Sequence, residues 1–546
     1  MRPRLRTPYW TVLLLVFLIV PTSAPPVSAQ GESRGDWVWS RFWSDGFGEA
    51  AAVDDSGIYV VGLDAGLWSD RPRTTESVLL KFGLDGEERW VRSLPSITTD
   101  YHGLAINDSD VYIVGQSGDI FVDARDVILQ KYTADGLKLW TRRFGSELAD
   151  IPRDAVADSS GVYVVGDSWA PTDRDSSESD SFVSKYDRDG NELWTTRFAP
   201  TRNVLSGVDV GSSGIYIVGS QEDRATLWKF ELTGNLEWTL RIEQPVLDIG
   251  DVAVDAHGVY IVGTTTGPLT AQGSIGETDA FVRKYDTGGN ESWTRQFGAP
   301  GFPGTPADDK ATGVAVRAWG VYVAGTISRG TPGPHDAFGR RFATDGTELW
   351  AFRYVGASDA RGLAVGRSGI YLTGTSEGRA YLARFAETPD APRNVQASPG
   401  EGQVGLEWNL PPFDGGMPIL SFQVYRGTQR GALEPLAKVG ATALTYIDSS
   451  VANQITYHYA VAALNMIGEG PWAPSNGVTP GSPPAVVNPV PPPLDPFVLG
   501  VITILGGALL LAAYWLRRVG KPGDDRIPSR NAPRRVSGLG ENAESG

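Results

Sequence analysis

A short pattern, Gly-(Val/Ile)-Tyr-x-x-Gly, occurs seven times in this chain, once with aspartate in place of the first glycine. Its tyrosines are Tyr59, Tyr112, Tyr163, Tyr216, Tyr260, Tyr322 and Tyr371, separated by steps of 53, 51, 53, 44, 62 and 49 residues. The residues around each copy favour strands and turns. A strand-only repeat of this length predicts a β-propeller, and seven copies predict seven blades.

The rest of each repeat is also regular. A small apolar segment such as Val252–Val254 precedes the tyrosine, and an alternating segment such as Phe281–Tyr285 follows it. A Gly/Asp/Asn turn and a strand with a tryptophan, such as Trp293, complete the unit, which predicts a four-stranded antiparallel meander. The seventh unit lacks this last strand, whereas Trp37–Phe42 matches it before the first unit. We therefore expect the N-terminal strand to complete the last blade and close the ring.

One repeat carries a family resemblance. Residues 279–293 read Asp-Ala-Phe-Val-Arg-Lys-Tyr-Asp-Thr-Gly-Gly-Asn-Glu-Ser-Trp. This pattern, with Gly-Val-Tyr-x-x-Gly, resembles the bacterial and archaeal β-propeller repeats known as SBBP, and the resemblance covers residues 36–386. It implies a propeller fold and brings no catalytic motif with it.

A second domain is predicted at residues 389–480, which resemble a fibronectin type III domain. Its strands alternate as a two-sheet sandwich requires. The resemblance implies that Trp408 is the core tryptophan and that Tyr457 forms the tyrosine corner. Residues 481–496 are proline-rich, which predicts an extended spacer.

The two ends of the chain suggest a membrane protein. Residues 1–29 read as a signal peptide, and 497–516 form an uncharged apolar run long enough to cross a bilayer as a helix. The basic tail, 517–546, should remain in the cytoplasm, with the preceding domains outside the cell. The predicted fold class is therefore all-β: a seven-bladed propeller closed by the N-terminal strand, a fibronectin type III sandwich and one transmembrane helix.

Composition excludes several kinds of site and partner. The chain has no cysteine, so disulfides and thiolate metal sites are excluded. It has four histidines, which argues against a histidine-rich metal centre. The formal charge is −16, and the segments before residue 30 and after residue 516 carry +3 each, which leaves −22 between them. Such an acidic surface argues against nucleic acid as a partner.

Sequence diversity is concentrated in the long connections at one predicted face. They span residues 63–77, 167–181, 264–278, 298–312 and 326–335, and Trp169 lies in the second of them. Variable loops on a rigid scaffold are typical of binding sites, although tolerated insertions would look the same. Seven aspartates precede the predicted inner strands: Asp100, Asp154, Asp248, Asp251, Asp308, Asp309 and Asp359. They could surround the channel mouth and hold a calcium ion, or could be ordinary solvated loop carboxylates.

Other candidate sites can also be explained by an ordinary structural role. Asp187–Asn191 begins like a calcium loop but lacks its glutamate at the twelfth position, so a hairpin turn explains it as well. The repeated tryptophans occur in quinone-dependent propeller enzymes, yet packing between strands also accounts for them. Asn107 and Asn290 stand in glycosylation triplets.

These features predict a cell-surface recognition or adhesion protein that binds an extracellular protein or glycan through the variable loops. No common catalytic motif is visible in the sequence, which favours binding over catalysis. Two alternatives remain open: an extracellular carbohydrate-active hydrolase or lyase, and a structural component of the envelope.

Overall fold

A computed structural model describes residues 35–64, 76–94, 101–117, 125–169, 179–199, 203–242, 245–269, 273, 276–298, 307–328, 335–357 and 359–481. Every regular element in these ranges is a β-strand. The predicted signal peptide, the transmembrane segment at 497–516 and the basic tail lie outside them, as does nearly all of the proline-rich spacer.

Twenty-seven strands form the repeat region, and each repeat contributes them in chain order. Repeats one to three contain β1 (Gly35–Asp54), β2 (Gly57–Asp64), β3 (Glu76–Phe82), β4 (Glu88–Leu94), β5 (Tyr101–Asn107), β6 (Asp110–Ser117), β7 (Asp126–Thr133), β8 (Lys138–Phe144), β9 (Ala149–Asp158), β10 (Gly161–Trp169), β11 (Ser179–Asp187) and β12 (Glu192–Phe198). Repeats four to seven contain β13 (Asn203–Gly211), β14 (Gly214–Gln221), β15 (Arg224–Phe230), β16 (Leu236–Arg241), β17 (Val246–Asp255), β18 (Gly258–Thr265), β19 (Asp279–Tyr285), β20 (Glu291–Phe297), β21 (Asp309–Arg317), β22 (Gly320–Ser328), β23 (His335–Phe342), β24 (Glu348–Val355), β25 (Gly362–Gly366), β26 (Gly369–Ser376) and β27 (Arg379–Glu387).

The strands of repeats two to six pair as four-stranded antiparallel sheets: β5–β8, β9–β12, β13–β16, β17–β20 and β21–β24. The first and last repeats are different, because β1 is a single strand of 20 residues shared by both. Its first half, up to Asp45, pairs with β27, and its second half, from Gly46, pairs with β2. Together these repeats form one seven-stranded sheet in the order β25-β26-β27-β1-β2-β3-β4.

The prediction of a closed seven-bladed propeller is therefore wrong as a fold class. The described repeats form six sheets rather than seven closed blades, because register shifts at Phe42/Asp45 and Gly48/Ala50 bend β1 without ending it. Within the described residues, no helix is long and apolar enough to cross a membrane.

The repeated aromatic residues pack together within each repeat. The motif tyrosine lies 6.0–6.3 Å from the repeat's tryptophan in all seven cases, and Trp39 of β1 is the partner of Tyr371. In the first six repeats a lysine or arginine of the third strand lies over the tyrosine ring at 4.0–5.9 Å. These cation–π and ring contacts explain why the three residue types recur together.

The two glycines of the motif are required by close backbone approach. A Cβ on the first glycine, as at Gly258, would collide with the Tyr285 carbonyl oxygen of the third strand, and its φ is +150°. A Cβ on the second, as at Gly263, would collide with the Asp248 carbonyl oxygen of the first strand, beside a bulge in that strand. The motif thus marks where three strands approach most closely.

The second domain is a two-sheet sandwich. Its strands are β28 (Arg393–Gly400), β29 (Gln403–Asn409), β30 (Ser421–Gln429), β31 (Ala432–Gly440), β32 (Thr445–Asp448), β33 (His458–Leu464) and β34 (Glu469–Pro474). One sheet is β28-β29-β32 and the other is β31-β30-β33-β34. Trp408 is buried against Phe422, and the backbone N–H of Ala452 donates to the Tyr457 hydroxyl at 3.1 Å. The predicted two-sheet sandwich, with Trp408 in its core and Tyr457 at a tyrosine corner, is confirmed.

Candidate binding pockets

The first strands of all seven repeats contribute residues to one central pocket of about 500 Å³. Much of its wall is the small apolar segment of each repeat, which lets the strands approach one another. Charged side chains stand at a few positions in this apolar wall, and these side chains determine which polar groups of a ligand the pocket can bind.

Three carboxylates in this pocket are fixed by backbone N–H groups. The Asp154 carboxylate in β9 accepts from its neighbour Ala155 at 2.8 Å and from Val208 of β13 at 3.0 Å. Asp209 accepts in the same way from Val210 and Val254, at 2.8 and 2.7 Å, and Asp251 from Val252 and Val314, at 2.7 and 2.9 Å. Each aspartate therefore links the first strand of its own repeat to that of the next.

Burial makes these carboxyl groups weak acids. It raises the pKa of Asp154 to about 7 and that of Asp209 to about 6, and it raises the pKa of Asp251 well above its usual range. Repulsion between the carboxylates adds to the effect, whereas Arg317 of β21 lowers the pKa of Asp209. At neutral pH the three carboxyl groups are therefore not all ionised.

Two further pockets share lining residues with the central one. The larger, about 530 Å³, is lined by Asp308, Lys310, Thr312, Thr326, His335, Asp359 and Ala360. The smaller, about 240 Å³, is lined by Phe47, Gly62, Leu63, Ser77, Tyr101 and His102. Glu49 and Arg361 line all three pockets. The guanidinium of Arg361 pairs with Glu49 at 2.9 Å and with Asp359 at 3.0 Å, which joins the first repeat to the last.

The structure brings some of the predicted site residues together and separates others. Asp154 and Asp251 line the central pocket, and Asp308 and Asp359 line the larger neighbouring pocket. Asp309 is fully buried, Asp248 is exposed on β17, and Trp169 ends β10, paired in register with Ala149 and Ser179. Asp100 lies outside the described residues.

The sequence prediction missed six acidic, lysine or arginine residues of these pockets: Glu49, Arg153, Asp209, Lys310, Arg317 and Arg361. The sequence does carry a signal for Asp209. This residue stands seven positions before its motif tyrosine, where the other repeats have a small apolar residue. At that position the other repeats have Ala52, Ala105, Val156, Ala253, Ala315 and Ala364. A charge at an otherwise apolar repeat position identifies a pocket residue. Glu49 and Arg361 carry no such signal.

The candidate calcium loop is a hairpin turn. The Asp187 carboxylate accepts from the backbone N–H groups of Asp189 and Asn191 at 2.9 and 2.8 Å and from the Asn191 side chain at 2.9 Å. Among the described residues, no group of three or more histidines or carboxylates is placed to hold a metal ion. Calcium binding stays a prediction without a described site.

The two glycosylation triplets have different surroundings. The Asn107 amide donates to the Asp158 carbonyl oxygen at 2.7 Å, so it is engaged in holding two neighbouring first strands. Asn290 is exposed in a turn, where its amide donates to Asp286 at 2.9 Å. The first asparagine is half-buried and the second is exposed.

Comparison with known proteins gives partial matches. No family model matches the chain. It is 32% identical over 80 residues to an amylopullulanase from Thermoanaerobacterium saccharolyticum, covering 15% of this chain and 6% of that protein. It is 34% identical over 89 residues to the fast-type myosin-binding protein C of Gallus gallus, and this match covers 16% of this chain and 8% of that protein. The chain thus spans less than a tenth of the length of these relatives.

Solved structures of single fibronectin type III domains are also similar to part of the chain. An Fn3-like protein from Clostridium thermocellum is 24% identical and covers 18% of this chain and 96% of its own, with a TM-score of 0.15. The sixth fibronectin type III domain of human fibronectin type III domain containing protein 3 is 23% identical to this chain. The match covers 18% of this chain and 94% of that domain, with a TM-score of 0.16. No family model supports the resemblance of the repeats to SBBP repeats.

Proposed function

We propose that this chain is a surface recognition protein that binds an extracellular glycan where its three pockets meet, at Glu49 and Arg361. The observation that carries the proposal is the convergence of the pockets on this ion pair. A concave site with a few fixed polar groups is the usual form of a small-ligand site, whereas protein partners generally need a broad surface.

The chemistry of the lining favours a polyhydroxylated ligand. Donors and acceptors are mixed at the junction: Arg361, Lys310 and His335 lie near Glu49, Asp308 and Asp359. Since the opposite charges are nearly balanced, a strongly charged ligand gains little there, and hydroxyl groups can both donate and accept. The amylopullulanase name of one partial relative supports a carbohydrate context, over a short match.

The rest of the chain fits a role at the cell surface. The signal peptide at 1–29, the anchor at 497–516 and the basic tail would hold the repeats and the sandwich outside the cell, with 481–496 as the spacer. Thr326 and His335, at the two ends of one long connection, line the larger pocket, and we expect changes in the sequence of that connection to alter binding. A protein partner and a purely structural role are the competing outcomes.

A glycan array with the purified full chain in detergent tests the proposal. The protein should bind a defined subset of glycans, and Arg361→Gln should weaken that binding about 10- to 100-fold, since hydrogen bonds from a charged donor are lost. Arg89→Gln is the matched control, because Arg89 pairs with Asp85 in an exposed turn. Failure of the wild-type protein to bind any glycan, or full binding by Arg361→Gln, would contradict the proposal.

Hydrolysis of the bound glycan is a second candidate function, favoured by the raised pKa of Asp154 and Asp209 in one pocket. Glycosidases pair a protonated carboxyl acid with a second carboxylate. With Asp154 as the acid, turnover should fall as the pH rises above about 7, where Asp154 loses its proton. Asp154→Asn should lower turnover by about 10²–10⁴-fold, and Asp85→Asn should not change it. Unaltered glycan after prolonged incubation with wild-type protein rules this function out.

A further inference from the structure

The larger pocket and the sandwich lie at opposite ends of the same two strands of repeat six. Lys310, at the start of β21, and Thr326, near the end of β22, line the pocket. The other ends of these strands meet in a short turn that contains Trp319, and its ring stacks on Phe413 of the sandwich with the centroids 5.0 Å apart. At about 3.3 Å per residue, the length of β21 places roughly 25 Å between the two sites.

Repeat seven shows the same arrangement. Asp359 and Arg361 line the larger pocket just before β25 begins. At the other end of β25, a Cβ on Gly416 of the sandwich would lie 2.7 Å from the Cα of Gly369, in the turn to β26. Arg384 of β27 donates to the Gly416 carbonyl oxygen at 2.7 Å. The sandwich therefore contacts the short-turn side of the repeats, and the pocket lies on the side of the long connections.

Hydrogen bonds and close packing fix the sandwich on this side. Two of the bonds join backbone groups: the Glu387 N–H donates to the Gly415 carbonyl oxygen at 2.8 Å, and the Asp390 N–H to that of Phe413 at 3.0 Å. The Asn465 amide donates to the Glu387 carbonyl oxygen at 2.7 Å. Gly415 has a φ of +81°, and a Cβ there would lie 1.9 Å from the Glu387 oxygen, so glycine is required. We call this set of contacts the joint.

The chain leaves the sandwich at the end remote from the joint. It enters β28 at Arg393, three residues after Asp390, and this strand ends at Gly400. The N–H of Gly481, the last residue of the described range, donates to the Gly400 carbonyl oxygen at 3.0 Å. The length of β28, about 23 Å, therefore separates the joint from the point where the chain leaves the sandwich.

We infer that this protein binds glycans on a surface that faces the one carrying it, since the joint holds the pockets on the side away from the chain exit. The partner is then a glycan of another cell or particle rather than a glycan of the same membrane. The inference rests on the proposed function and makes it more specific. A ligand that the geometry keeps out of reach has an effective concentration near zero, even when it is abundant nearby.

Capture of vesicles by glycan-coated beads tests the inference. The full chain is reconstituted in phosphatidylcholine vesicles, the array-selected glycan is coupled to beads, and the same glycan is inserted as a glycolipid beside the protein. The beads should capture wild-type vesicles, and the inserted glycolipid should reduce capture less than about 2-fold, because it cannot reach the pockets. In Gly415→Ala, which disrupts the joint, the glycolipid should reduce capture about 10-fold. Gly431→Ala is the matched control, since no described atom lies within 4 Å of a Cβ there.

Distances between two spin labels test the joint without a ligand. Because the chain has no cysteine, labels attach only at introduced cysteines. Leu247→Cys, in the exposed start of β17, marks the pocket side, and Glu401→Cys marks the far end of the sandwich. Pulsed electron paramagnetic resonance should give one narrow distribution near 50 Å, about the summed lengths of β17 and β28. Gly415→Ala should broaden it, and Trp319→Ala, which removes the stack on Phe413, is the second joint variant if the first does not fold.

The outcomes separate the orientation from the general function. If the inserted glycolipid abolishes bead capture of wild-type vesicles, or if the wild-type distance distribution is broad, the orientation is wrong and the proposed function stands. If the wild-type protein binds no array glycan, the proposed function fails and the inference fails with it.

Discussion

Replacing Arg341 by alanine should lower the free energy of unfolding by about 3–5 kcal/mol, because it leaves buried carboxylates without their counter-ion. Arg341 lies where the repeat region meets the sandwich and is 3% exposed. Its guanidinium contacts Glu387 at 3.0 Å and Asp390 at 2.8 Å, and donates to the Trp319 carbonyl oxygen at 2.6 Å.

The surroundings of Glu387 explain why the loss should be large. Burial raises the pKa of Glu387 to about 7, and Arg341 is the main group that opposes this rise. Without Arg341 the carboxyl should protonate at higher pH. Because its folded pKa exceeds its unfolded value, stability should then fall as pH increases through neutrality. The variant should therefore be least impaired near pH 5.

The adjacent arginine provides the control for this experiment. Arg340 pairs with Glu348 at 2.7 Å, and that glutamate side chain is 41% exposed. Arg340→Ala should change the unfolding free energy by about 1 kcal/mol or less. Urea unfolding at pH 5 and pH 8 compares the two variants. Equal losses in both would show that the buried cluster has no special role.

Replacing Trp39 by alanine should also cost about 3–5 kcal/mol, the usual range for a buried aromatic residue. Trp39 packs 6.1 Å from Tyr371 of the last repeat. Arg41 lies over its ring at 5.2 Å and donates to the Gly86 carbonyl oxygen of the first repeat at 2.8 Å. The tryptophan therefore contributes to the packing of both ends of the repeat region.

Hydrogen exchange shows whether this loss is shared by both repeats. In Trp39→Ala, amide protection should decrease in β27 and in β2, which pair with the two halves of β1. Trp472→Ala is the matched control, because that tryptophan is 49% exposed on the sandwich. Reduced protection in β27 alone would contradict a shared strand.

The local structure of this protein could be predicted well from its sequence. The Gly-x-Tyr-x-x-Gly motif and the apolar segment before it are repeated seven times and the tryptophan after it six times, and in repeats two to six the four strands pair within their own repeat. The sandwich was predictable for the same reason, since Trp408 and Tyr457 occupy positions that the domain type defines.

The arrangement at the two ends of the repeat region could be predicted only in part. The pairing of Trp37–Phe42 with the last repeat was expected from the sequence, but the continuation of the same strand through two bulges into the first repeat was not. The pocket junction depends on this arrangement. Glu49 and Arg361 are 312 residues apart, and only the pairing of the first with the last repeat brings them together.

A crystal structure of the protein with its array-selected glycan tests the central claim most directly. We expect a sugar ring in contact with Glu49 or Arg361. A glycan held only by the sandwich, or by the long connections away from these residues, would contradict the claim that recognition occurs where the three pockets meet.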